Sequence, residues 1–86
     1  MYIHLGQDTV IKKREIIGIF DLDTASVSRH TRKFLNMAQK KGKVINVSFE
    51  LPKSFILCQN KETESKVYIS QLSSTTLQKR NEFLNY

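Results

Sequence analysis

The chain has 86 residues, 40% of them hydrophobic, with one cysteine and a formal net charge of +6. At this size it makes a single domain over residues 1–86 with a small core, burying only about 60% of the surface its unfolded chain exposes. Lone Cys58 excludes an intrachain disulfide, no Cys/His cluster has metal-ligand spacing, and no apolar run nears the roughly 20 residues of a membrane span.

Tyr2 to Gly6 reads as a short strand closed by a glycine, with a polar turn at Gln7-Asp8. From Thr9 to Leu22 β-branched residues predict a long strand, interrupted by Lys12-Lys13-Arg14-Glu15. That interruption fits a tight turn or the solvent-facing middle of the run, and a hairpin or bend is favoured. Ile16 to Phe20 carries apolar residues on both faces, which suits a central strand or an edge covered by another subunit.

Asp21, Asp23, Thr24, Ser26 and Ser28 supply acids and capping oxygens ahead of a helical run that Gly42 ends. At helical spacing Val27, Thr31, Phe34 and Ala38 share one side, flanked by Leu35 and Met37, while Arg29, Arg32, Lys33 and Lys40 gather opposite. Val44 to Phe49 alternates as a strand, Glu50 to Lys53 turns, and Ser54 to Cys58 returns as a second strand, together predicting a hairpin. A polar loop from Asn60 to Ser65 leads to a last strand over Lys66–Gln71. A final short helix follows, capped by Ser73, with Leu72 stapled onto Leu77 and an apolar side of Leu77, Phe83 and Leu84. The order β-β-α-β-β-β-α predicts an α+β domain on a largely antiparallel sheet.

Catalysis finds little support. His4 and His30 are the only histidines, and neither belongs to a nucleophile–base arrangement. Cys58 ends an apolar strand and reads as a buried, inert thiol. The glycines are isolated, so no phosphate-cradling loop forms, and no catalytic residue, metal ligand, cofactor or small-molecule ligand is implied.

Charge is the more informative signal. Six bases and no acid lie between Arg29 and Lys43, leaving eight bases and eight acids elsewhere. Bases on one helix face can neutralise several phosphates at once, although a solvated outer face has the same pattern. Lys12, Lys13 and Arg14 at one bend and Lys53 at another add basic sites where side chains project freely. A membrane-surface helix fits less well, because the small core needs Phe34 and Leu35 for itself. A second reading is an assembly module, in which two-faced apolar strands pair between subunits.

Tyr2-Ile-His-Leu-Gly6, Arg14-Glu-Ile-Ile-Gly-Ile-Phe-Asp21, Pro52-Lys-Ser54 and Leu72-Ser-Ser-Thr-Thr-Leu77 with Lys79-Arg80 carry a resemblance over Tyr2 to about Phe83. They resemble the RemB branch of the RemA/RemB-like extracellular-matrix (biofilm) regulators of Gram-positive bacteria. The resemblance implies a cytoplasmic, non-enzymatic regulator that binds double-stranded DNA as a ring-like homo-oligomer, on a fold akin to the LytTR DNA-binding domain. An arginine in the second strand of RemA-type proteins aligns with Arg14, so a DNA-contact role carries over there. Where those proteins have an arginine-rich turn this chain reads Glu50-Leu51-Pro52-Lys53, and only Lys53 keeps a positive charge. The Asn60–Ser65 loop is also longer than the corresponding RemA turn. The expected DNA-binding set is therefore Arg14, Lys53, Lys12, Lys13, Arg29, Arg32, Lys33 and Lys40. The alternative is an oligomeric adaptor that partners another regulator without touching DNA.

Overall fold

The computed structural model describes residues 2–25, 28–59 and 65–83. Its elements run β1 (Tyr2–Gly6), β2 (Thr9–Lys12), a 3-10 turn at Lys13–Glu15, β3 (Ile16–Asp21), α1 (Leu22–Ala25), α2 (Arg29–Lys40), β4 (Val44–Asn46), β5 (Ser54–Cys58), β6 (Lys66–Ser70) and α3 (Ser74–Phe83). This is the expected α+β class, with the bend before Ile16 in place and a one-turn helix added after β3.

β1 and β2 form an antiparallel pair of their own, and the remaining strands make a four-stranded sheet in the order β3-β5-β6-β4. β5 is antiparallel to both β3 and β6, while β4 runs parallel to β6. The expected hairpin between β4 and β5 is therefore absent: the two strands do not pair, and β6 lies between them. The reason is burial. All but one residue of β5 are buried, on both faces, and only an inner strand with two neighbours satisfies its backbone there. β3 is instead an edge strand, and its two-faced apolar pattern leaves Ile17 and Phe20 exposed.

The alternation of β5 divides the interior into two layers. Ile56 and Cys58 point to one face, where Ile3, Leu5 and Ile11 of the β1–β2 pair, Val47 and Leu77 of α3 cover them. On the other face Phe55 packs with Ala38 of α2 and Val67, joined by Leu22, Leu35, Val44 and Leu57. Burying a side chain such as Leu77, with no accessible surface left, is worth about 1.5–3 kcal/mol.

The helices start where their caps direct. The Ser28 hydroxyl accepts the Thr31 N–H at 3.4 Å to open α2, and the Ser73 hydroxyl accepts the Thr76 N–H at 3.1 Å to open α3. Leu72 and Leu77 enter the same core cluster, as the staple reading requires. Asp21 caps α1 instead, its carboxylate accepting the Asp23 and Thr24 amides at 2.7 and 3.3 Å, so the acids expected at the start of α2 serve the shorter helix before it.

α2 is rotated from its expected setting. Thr31, Leu35 and Ala38 turn inward, whereas Phe34 and Met37 stand on an exposed flank. The expectations for Val27, for the 60–64 segment, and for the side chains of Phe83 and Leu84 lie outside the described residues.

Candidate nucleic-acid interface

The ladder register decides which bases can act together. Ile16 pairs with Cys58, Cys58 with Lys66, and Val44 with Val67, so the start of β3, the end of β5 and the starts of β6 and β4 lie at one end of the sheet. Two backbone bonds extend this alignment past the strands. The Gln59 N–H donates to the Glu15 carbonyl at 2.8 Å, and the Val67 N–H to the Lys43 carbonyl at 2.9 Å.

Arg14 is exposed on the turn that enters β3 and occupies one corner of that end. Lys12 and Lys13, both half-buried, lead into the same corner, with Lys12 opposite Tyr2 in the β1–β2 ladder. Lys66 opens β6, and Lys43 immediately precedes β4 at the far corner, about 14 Å away across three strand spacings. Lys40 and Lys41 reach this corner from the C-terminus of α2.

Gly42 fixes that corner. It has a φ of +71°, which favours glycine, and it donates its N–H to the Gln39 carbonyl at 3.0 Å while the Lys43 N–H reaches the Ala38 carbonyl at 3.0 Å. This is the Schellman arrangement that satisfies the last carbonyls of a helix and turns the chain sharply into β4. The same turn sets Lys41 and Lys43 around an open cavity of about 320 Å³, completed by Gly42, Ile45, Ser65 and Lys66.

Lys53 lies elsewhere. It precedes Ser54, which pairs with Asp21, at the opposite end of β5 and roughly 20 Å from Arg14 at about 3.4 Å per strand residue. Its backbone is held on both sides, the N–H donating to the Ser70 carbonyl at 2.9 Å and the carbonyl accepting the Leu22 N–H at 3.0 Å. Asp21, Asp23 and Glu50 surround that end, and Asp8 sits in the β1–β2 turn that points the same way. Glu15 lies with the bases at the other end. Asp8, Asp21, Asp23 and Glu50 thus gather at one end of the strands, and Arg14, Lys43 and Lys66 at the other.

Arg29, Arg32, Lys33 and Lys40 are all exposed on α2, whose 12 residues span about 18 Å. Arg29 starts near the acidic end and Lys40 finishes at the basic one. Of the expected contact set, the fold thus brings Arg14, Lys12, Lys13 and Lys40 to one end, spreads Arg29, Arg32 and Lys33 along the helix, and separates Lys53. Sequence reasoning left out Lys41, Lys43 and Lys66. The first two stand in the basic run, but only the parallel β4–β6 pairing brings Lys66 to them.

Burial shifts two titratable groups of the fold. Cys58 is buried, and burial, aided by the nearby Glu15 carboxylate, pushes its thiol up to about 12. Burial likewise raises Tyr68, with smaller contributions from Cys58 and Glu15. His4 and His30 are exposed, His4 turning its ring Nε2 onto the Gln7 carbonyl. Among the described residues no helix is long and apolar enough to cross a membrane.

The family model described as RemA-like, extracellular matrix regulatory protein A-like, matches residues 2–80, which include every strand and the basic helix. Extracellular matrix regulatory protein B of Bacillus subtilis (strain 168) is 42% identical over 84 residues, covering 98% of this chain and 94% of that protein. With nearly its whole fold inside these matches, the chain belongs to the RemA-like family of extracellular-matrix regulators, a family named for regulation and not for an enzymatic reaction.

Proposed function

We propose that this protein is a cytoplasmic transcriptional regulator of extracellular-matrix (biofilm) genes that binds double-stranded DNA as a homo-oligomer. The observation that carries the reading is the gathering of Arg14, Lys12, Lys13 and Lys40 at one end of the sheet, with most described acids at the other. Such a polarity orients the domain toward a polyanion before contact, and the exposed Arg14 guanidinium offers bidentate hydrogen bonding to phosphate or guanine. Arg29, Arg32 and Lys33 extend the positive field along α2. Lys53 stands too far from Arg14 to meet the same phosphates within one protomer, so its contribution comes from a neighbouring protomer in the assembly. The exposed β3 edge supports assembly, since an unpaired strand bearing Ile17 at 57% and Phe20 at 40% exposure invites another chain.

The test is a mobility-shift titration on matrix-operon promoter DNA at several salt concentrations. Binding that weakens steeply with salt and drops on Arg14→Ala supports the reading. No shift at low salt overturns it.

One observation favours a second reading, a non-DNA-binding adaptor. Phe49 is fully exposed, at 110% of its reference surface, and Leu51 is 80% exposed, on the loop between β4 and β5. A protein co-purifying with a discrete oligomer that lacks nucleic-acid affinity would select the adaptor.

A further inference from the structure

We infer that the cavity between the α2–β4 turn and the start of β6 is a phosphate seat, in which Lys41 and Lys66 hold the DNA backbone opposite the Arg14 corner. The inference deepens the DNA-binding reading and rests on it. Lysines from two separate chain segments line one open cavity of about 320 Å³, and the hydroxyl-bearing Ser65 completes its rim. Lys41 and Lys66 are exposed, free to bring their ammonium groups to an anion without leaving an apolar environment.

A helix C-terminus ordinarily repels anions through its unsatisfied carbonyls. Here the Gly42 and Lys43 amides occupy the Gln39 and Ala38 carbonyls, and the Lys41 N–H donates to Met37 at 3.1 Å. Those carbonyls are therefore satisfied, and Lys40 and Lys41 stand beside them. The backbone there is also rigid, being tied to β6 through the Val67–Lys43 bond.

The spacing to Arg14 gives the seat its role. The two corners stand about 14 Å apart across the strand ends, close to the ~12 Å width of a B-form major groove. Arg14 on one flank and the lysine seat on the other thus straddle a groove, each against a different strand. Phosphate contacts of this kind set register and orientation and carry no base preference of their own.

The experiment compares the salt dependence of DNA binding for the full chain and for Lys41→Gln with Lys66→Gln, using Lys79→Gln as a remote charge-loss control on α3. Circular dichroism verifies that each variant is folded. The paired change is expected to weaken binding to promoter and unrelated duplexes alike and to flatten the slope of log K against log salt by about 2, at about 0.9 per lost phosphate contact. The control is expected to keep the parent slope. A paired variant that binds with the parent slope overturns the seat and leaves the DNA-binding reading standing. A parent chain that binds no duplex at low salt overturns both.

Discussion

Phe20 stacks on Phe55 across the β3–β5 ladder, ring centroids 4.9 Å apart and planes inclined by 19°, and the Phe20 ring lies over Gly18 on the same face. A Cβ added at Gly18 would sit 2.6 Å from the ring, a distance that requires the ring to move. Gly18→Ala therefore pushes Phe20 off Phe55 and gives up a stacked pair worth about 0.5–1.5 kcal/mol. Urea denaturation should show a loss of about 1–2 kcal/mol with strain included, and Gly18→Ala in a Phe20→Ala background should lose much less.

Two facing serines form the polar centre of the fold. Ser70, fully buried, donates its hydroxyl to the Leu5 carbonyl at 2.6 Å and accepts the Leu72 N–H at 3.0 Å. Ser54, its partner in the ladder, donates to the Leu72 carbonyl at 2.8 Å. Ser70→Ala leaves one buried and one part-buried backbone group without their partner and should cost about 1–3 kcal/mol. The two substitutions share Leu72, so a double-mutant cycle with Ser54→Ala should be non-additive in the same denaturation assay.

Cys58 links stability to alkaline pH. Its folded thiol titrates near 12 against 9.0 ordinarily, so above pH 9 the unfolded chain releases a proton that the folded chain keeps. The stability from this group is complete below pH 9 and declines between pH 9 and 12, by up to about 1.4 kcal/mol per pH unit. The raised Tyr68 acts in the same direction at higher pH. Chemical denaturation across this range should show the decline, and Cys58→Ala should flatten its lower part. Thiol labelling at pH 8 should be negligible when folded and rapid in denaturant.

Ile17 reports on assembly. It lies at the irregularity between Ile16 and Gly18, on the edge strand, and is 57% exposed. Ile17→Lys places a charge on a strand edge, a device that blocks pairing with another chain. Light scattering should show a smaller species than the parent, with the folded circular dichroism spectrum retained. A parent chain that is already monomeric at working concentrations would remove the edge-pairing account.

Phe49 and Leu51 separate folding from recognition. Both are exposed, so Phe49→Ser with Leu51→Ser should change stability by no more than about 0.5 kcal/mol. If the adaptor reading holds, the same pair should abolish capture of the co-purifying protein. If DNA binding alone is the function, duplex affinity should be unchanged.

Much of this was legible from local chemistry. Ser28, Gly42 and Ser73 marked helix ends through capping needs that are written in neighbouring residues. The bend at Lys13–Glu15 and the burial of Cys58 were equally local. Pairing was not. The run Val44 to Cys58 looks like a hairpin because alternation identifies strands without naming their partners, and β4 took β6 instead. Phe34 and Leu35 are adjacent on the helix, and only the sheet beneath decides which of them turns inward. The approach of Lys66 to Lys41 followed from that same pairing, and the separation of Lys53 from Arg14 from the antiparallel register of β3 and β5.

The parallel β4–β6 ladder also sets an order of events. β1 and β2 can close early through a tight local turn, whereas Val44 must wait for Val67, which lies beyond β5. Such a non-local pairing loses chain entropy before its contacts form. Lys43 and Lys66 come together only at that step. The basic end of the sheet is thus a product of tertiary pairing, and a chain in which β4 has not joined β6 does not present it.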